Sequence, residues 1–130
     1  VKHIRIESHI QSGLPDIDMD RDMIRRVLIN LLENAIKFSS SRQTINLTAK
    51  LEGEVILFSV EDNGPGIPEG QLTTIFTKYT RLKSSPGGRG FGLGLAFCKL
   101  AVDAHHGRIW AENKTDAGSR FLFTLPVNQR

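Results

Sequence analysis

One stretch constrains the fold more than any other. Ile24, Val27, Leu28, Leu31, Leu32, Ala35 and Ile36 recur at helical spacing and draw one continuous apolar stripe. A helix of this kind needs another layer to bury its stripe against, and period-2 segments elsewhere in the chain supply one. Residues 3–7 alternate polar and apolar as a short half-buried strand does. Ile45, Leu47, Ala49 and Leu51 alternate strictly, so that strand buries one face. Val55-Ile56-Leu57-Phe58 is apolar on both faces and reads as a central strand, with Gly53 in a short hairpin loop before it. Two closing strands, Arg108–Asn113 and about 120–125, form a hairpin around residues 116–118, and Pro126 ends the last one.

The helix has its own punctuation. Asp18, Asp20 and Asp22 precede or open it, where the helix dipole favours negative charge, and Ser39-Ser40-Ser41 closes it. A second helix is expected over about Gly92–Ala104, with Leu93, Ala96, Phe97, Leu100 and Ala101 on one face and Gly107 as its stop. A third, short helix is expected over residues 71–76. No internal repeat and no linker divides the chain, so its 130 residues read as one domain. Hydrophobic residues at 39% exclude a disordered chain. The apolar runs are far short of the roughly 20 residues that span a bilayer. Val1-Lys2-His3 opens no signal-peptide pattern, so a soluble chain is the expectation. A single cysteine, Cys98, excludes an internal disulfide framework and fits a buried apolar position in the second helix. The four histidines lack metal-ligand spacing and read as surface or packing residues.

Three constellations could carry chemistry. Asn30, Asn34 and Lys37 lie within roughly 60° of one another on the flank of the first helix's stripe. Two amide oxygens and an ammonium on one rim can hold a hard cation and a phosphate together, although the same row also fits an ordinary solvated flank. Asp62-Asn63-Gly64-Pro65-Gly66-Ile67-Pro68 follows the central strand directly. A carboxylate there can accept from an exocyclic amine while the glycines admit a flat ring; a tight turn without a ligand fits equally well. Gly87-Gly88-Arg89-Gly90-Phe91-Gly92-Leu93-Gly94-Leu95 runs into the second helix, where backbone N–H groups can meet a phosphate. The spacing of Gly90, Gly92 and Gly94 is not that of a dinucleotide fingerprint, and the chain holds neither a P-loop nor a nucleophile elbow. Five of the 17 basic residues (Lys78, Arg81, Lys83, Arg89 and Lys99) and none of the 14 acidic ones lie between Gln71 and Val102. The net charge of +3 is therefore concentrated on and beside the glycine-rich run, and so mild a balance does not by itself argue a nucleic-acid surface.

In this order the motifs resemble the catalytic ATP-binding domain of bacterial sensor histidine kinases, in the superfamily of gyrase, Hsp90 and the mismatch-repair ATPases. Asn30-Leu31-Leu32-Glu33-Asn34-Ala35-Ile36-Lys37-Phe38-Ser39 resembles the N box and Asp62 to Ile67 the G1 box. Ile75-Phe76-Thr77-Lys78-Tyr79-Thr80-Arg81 is similar to the F box, and Gly90-Phe91-Gly92-Leu93-Gly94-Leu95 to the G2 box. The resemblance implies an α+β fold, the two-layer α/β sandwich called the Bergerat ATP-binding fold, with a mixed sheet of about five strands and three helices on one face. It also implies a domain filling residues 1–130, without the phosphoacceptor and sensor domains.

The resemblance further implies roles at the matching positions. Asn34 coordinates Mg²⁺ with Asn30 assisting, and Lys37 contacts the phosphates. Phe38 borders the adenine pocket, Asp62 accepts from the adenine amino group, and Gly64, Gly66 and Ile67 surround the ring. Gly90, Gly92, Leu93, Gly94 and Leu95 bring backbone N–H groups to the phosphates. Tyr79 and Arg81 belong to a lid from about Thr77 to Gly90, with Arg81 as a phosphate contact, and Ser119 reaches toward the nucleotide. The ATP-hydrolysing relatives are expected to carry a general-base Glu where Asn30 stands, and an amide cannot act as that base. The implied reaction is therefore transfer of the γ-phosphoryl of Mg-ATP to a histidine on a separate dimerisation and phosphoacceptor domain, with a response regulator downstream. The implied setting is cytoplasmic, without nucleic acid or membrane insertion. The alternative is a nucleotide-binding module without transfer, acting through partner binding. Phe91, His106 and Asp116 depart from the family pattern, the last two standing where glycines are common.

Overall fold

Alternation in the chain becomes one five-stranded sheet in the spatial order β1-β2-β3-β5-β4. The computed structural model describes residues 3–77 and 92–127. The strands are β1 (Arg5–Ile10), β2 (Thr44–Glu52), β3 (Val55–Glu61), β4 (Arg108–Asn113) and β5 (Ser119–Pro126). The α-helices are α1 (Arg21–Phe38) and α2 (Gly92–Ala104). β1 runs parallel to β2 and every other pairing is antiparallel, so the sheet is mixed as expected. β3 takes the central place that its unbroken apolar run predicts.

The register sorts the side chains onto two faces. Leu47 pairs with Val60, Phe58 with Phe123, Val60 with Phe121, and Phe121 with Ala111, so these residues share one face. That face receives Ile24, Val27, Leu31 and Ala35 of α1 and Leu95, Cys98, Ala101 and Val102 of α2. Phe58 and Phe123 stack at 4.6 Å between ring centroids inside this layer. The opposite face carries polar partners of one another instead. Arg120 bridges Glu61 and Glu112 across three strands at 2.7 Å each, and the Arg108 guanidinium lies over Trp110. One covered and one solvated face is what strict alternation in β2 requires.

α1 starts where the acidic cluster predicts. Asp20 is its N-cap, with a carboxylate oxygen accepting from the Met23 N–H at 3.0 Å. α2 ends in a Schellman arrangement: the Gly107 N–H donates to the Val102 carbonyl and the His106 N–H to that of Asp103. The left-handed residue in it is His106 (φ 61), not Gly107, which corrects the expected stop. His105 ties the two helices together. Its Nε2 accepts from the Asp20 N–H at 2.8 Å, and its Nδ1–H donates to the Ala101 carbonyl at 2.7 Å. Those partners fix the tautomer with the proton on Nδ1.

Two other expectations shift. The first strand is Arg5–Ile10 and not residues 3–7. The expected helix over residues 71–76 reduces to a 3₁₀ turn at Glu69–Gln71 followed by single turns, so two α-helices and not three cover the sheet among the described residues. Gly70 and the β-branched Thr73, Thr74 and Ile75 disfavour a helix there, and so short a segment cannot offset the cost of nucleation.

Candidate functional site

The end of β3 delivers Asp62 into the interior, where it is 3% exposed. Its backbone N–H extends the ladder by one bond, to the Ser119 carbonyl at 3.0 Å. Its Oδ1 accepts from the Gly64 N–H at 2.9 Å and the Ser119 N–H at 3.2 Å, and its Oδ2 from the Ser119 hydroxyl at 2.9 Å. Among the described residues no cation lies within ion-pair distance of it. A carboxylate offers about four acceptor positions, and three are taken. The one left, on Oδ2, suits a donor such as an exocyclic amine. Ser119 thus serves Asp62 with both of its own donors.

The loop after Asp62 is tied to three neighbours. Gly64 lies so close to the end of α1 that a side chain there would come within 2.6 Å of the Phe38 carbonyl. Asn63 donates to the Thr44 carbonyl at 3.3 Å. Lys114 donates to the Asp62 carbonyl at 3.3 Å and to Asn63 Oδ1 at 2.9 Å. The Asn113 side chain brackets Ile67, accepting from its N–H at 2.8 Å and donating to its carbonyl at 2.7 Å. The fold therefore brings Phe38, Asp62, Gly64, Gly66, Ile67 and Ser119 together, from α1, β3, its loop and β5. Neither Asn113 nor Lys114 carries a motif signal; only the register of β4 against β5 places them here.

Asn30, Asn34 and Lys37 are half-buried along α1. Asn30 donates its amide N–H to the Gly94 carbonyl of α2 at 3.2 Å, which leaves Oδ1 as the atom that could ligate a cation. Asn34 makes no side-chain hydrogen bond to another described residue. Leu95 is fully buried, so only its backbone can face a ligand. Gly92 opens α2 and Leu93 follows it. Tyr79, Arg81 and Gly90, with most of the expected lid, lie outside the described residues. Beneath Asn30, the buried Cys98 thiol contacts the Val27 carbonyl at 3.7 Å and is pushed up to about 12 by burial, against a smaller opposing effect of Asn30. It is protonated at neutral pH and is no nucleophile.

The donor set fits magnesium and a nucleotide. No group of three or more His, Cys, Asp or Glu among the described residues could hold a metal by itself. Mg²⁺ asks for less: one or two protein oxygens, waters and ligand phosphates. Asn30 and Asn34 supply amide oxygens of that kind. No helix among the described residues is long and apolar enough to cross a membrane.

Comparison with known proteins places this geometry. Residues 19–129 match the family model described as "Histidine kinase-, DNA gyrase B-, and HSP90-like ATPase". The adaptive-response sensory kinase SasA of Gloeothece citriformis (strain PCC 7424) is 41% identical over 127 residues, 97% of this chain and 32% of SasA. The sensor protein KdpD of Escherichia coli (strain K12) is 44% identical over 125 residues, 93% of this chain and 14% of KdpD. This chain thus spans a third or less of either relative. The nucleotide-free catalytic domain of the histidine kinase ThkA is similar with a TM-score of 0.84 and 32% identity, covering 97% of this chain and 82% of that one. ThkA in complex with the response regulator protein TrrA gives a TM-score of 0.79 at 30% identity, over 96% of this chain and 34% of that one. The chain belongs to the histidine kinase-, DNA gyrase B- and HSP90-like ATPase family, and within it to the catalytic domains of protein-histidine kinases.

Proposed function

We propose that the domain binds Mg-ATP and transfers its γ-phosphoryl group to a histidine on a separate dimerisation and phosphoacceptor domain of the same kinase. The observation that carries this reading is the buried Asp62 carboxylate, held by three internal donors with one acceptor position left. That position takes the adenine amino group, while Gly64, Gly66, Ile67 and Phe38 border the ring. Lys37 pairs with the phosphates. Asn34 and Asn30 would hold Mg²⁺ through amide oxygens, and the ion would supply neutralisation of phosphate charge. Gly92, Leu93 and Gly94, at the start of α2, offer backbone N–H groups to the same phosphates.

Asn30 decides between transfer and hydrolysis. An amide has no proton-accepting role toward water, so the chain lacks the general base expected of the hydrolysing relatives. Catalysis then consists of positioning and charge neutralisation, with the acceptor supplied by another domain. A response regulator receives the phosphoryl group afterwards, in keeping with the complex of ThkA with TrrA. The cytoplasm, where ATP is available, is the proposed setting.

Radiolabelled Mg-ATP tests the reading. The chain alone is expected to acquire no stable label, while an added acceptor domain from its own kinase becomes labelled at histidine, acid-labile and alkali-stable. Stable self-labelling would overturn the scheme. ATP binding without transfer to that acceptor would leave a nucleotide-dependent binding module in its place.

A further inference from the structure

We propose that Asn113, at the end of β4, is a positioning residue that sets the floor of the base pocket by pinning the loop after Asp62. The proposal rests on the nucleotide-binding reading of that loop. Asn113 is separated from Ile67 by 46 residues, yet it engages both backbone polar groups of Ile67, at 2.8 and 2.7 Å. The Ile67 N–H can only donate and its carbonyl can only accept, so the amide of Asn113 has one orientation that satisfies both. The side chain thereby imitates a strand neighbour for a segment that belongs to no strand.

The surroundings support a positioning function over a packing one. Asn113 is exposed, so its side chain contributes little to the core. Gly66, just before Ile67, has φ +86, and a Cβ there would stand 3.0 Å from Asn113 Oδ1. The close approach of the asparagine and the left-handed turn at Gly66 are therefore parts of one arrangement. The adjoining Lys114 bonds to Asp62 and Asn63 at the other end of the loop, and the Gly118 carbonyl closes the hairpin by accepting from the Lys114 N–H at 3.0 Å. The β4–β5 turn grips the loop at both ends, Lys114 at Asp62 and Asn63 and Asn113 at Ile67.

Asn113→Asp tests this with almost no change of shape. The acceptor toward the Ile67 N–H survives, but an oxygen replaces the donor toward the Ile67 carbonyl, and the two oxygens repel. Three measurements separate the outcomes: hydrogen exchange at the Ile67 amide, calorimetric Kd for Mg-ATP, and Kd for Mg-tripolyphosphate, which has no base. The expected result is exchange faster by about tenfold and ATP binding weaker by about tenfold, with tripolyphosphate within about twofold of the unsubstituted chain. Equal weakening of both ligands would overturn the proposal in favour of a general structural role. Faster exchange with unchanged ATP affinity would overturn it too, because the loop's position would then not matter to the base. Failure of the unsubstituted chain to bind Mg-ATP is a different result, which removes the nucleotide reading itself and the positioning function with it. Asn113→Ser, too short to reach both groups of Ile67, gives the same selective loss should the first variant fold poorly.

Discussion

The two ends of the site are built in opposite ways. At the Asp62 end the polar groups are fixed by the sheet: a ladder bond to Ser119, three donors on the carboxylate, and Asn113 and Lys114 gripping the loop beyond. Along α1 the Asn30 amide reaches the Gly94 carbonyl of α2, and Asn34 makes no side-chain hydrogen bond among the described residues. A ring needs a rigid slot with one acceptor in a defined place, and strand ladders supply rigidity cheaply. A metal and a polyphosphate bring their own charge and geometry, so amides on a helix flank suffice until those groups arrive. On the proposed reading, recognition of the base is pre-organised and recognition of the phosphates is completed by the ligand.

The strongest way to break this contrast is Gly118→Ala. Gly118 has φ +94, and a Cβ there would stand 2.1 Å from the Asp62 carbonyl and 2.8 Å from Asn63 Cα. Backbone must move, and it is the backbone that carries Asp62. The expected outcome is a stability loss of about 3 kcal/mol or more, a melting temperature lower by roughly 10 °C, and no measurable ATP binding. Thermal unfolding checks the first part and calorimetry the second. A variant that melts normally and binds ATP would show that the sheet end is not rigid.

Asp62→Asn asks for less and separates binding from folding. The new amide keeps an oxygen for the Gly64 and Ser119 N–H groups, and its NH₂ finds the Ser119 hydroxyl as an acceptor. The internal network survives, so stability should change by no more than about 1 kcal/mol. The spare acceptor on Oδ2 becomes a donor, which would face the adenine's own donor if the proposed contact holds. A rise in Kd for Mg-ATP of about 100-fold is expected, since hydrogen bonds to a charged group are worth ~1.5–3 kcal/mol. Unchanged affinity together with an unchanged melting temperature would remove the base from Asp62.

Periodicity predicted more of this molecule than chemistry did. The stripe from Ile24 to Ile36 and the alternation of β2 follow from which face is buried, so α1 and the sheet were readable. The boundaries of α2 were readable for the same reason. What failed was set by single local contests. Residues 71–76 hold apolar positions at a plausible spacing, but Gly70 and three β-branched residues oppose a helix that short. At the end of α2 a glycine stood in the expected place, yet His106 took the left-handed position one residue earlier. Asp62 announced itself by standing between a strand and a glycine-rich turn. Asn113 did not, because its hold on Ile67 comes from a register between β4 and β5 that no local pattern encodes; Ser119 was named only through the family resemblance, and its bonds to Asp62 come from the pairing of β3 with β5.

Asn34→Ala carries the smallest effect and probes the other side of the contrast. Asn34 is bonded to no described residue through its side chain, and alanine favours a helix interior, so the melting temperature should hold or rise slightly. ATP affinity without Mg²⁺ should stay within about twofold of the unsubstituted chain. With Mg²⁺ it should fall by at least about tenfold, because an outer-shell partner alone is worth ~10–100-fold in metal affinity. The ratio of the two dissociation constants, with Mg²⁺ and with EDTA, would then collapse toward one. Survival of that ratio would place the metal elsewhere and leave α1 as an ordinary solvated flank. Collapse without any loss of stability would mark Asn34 as a residue kept for its ligand, just where Asp62 is kept by its fold.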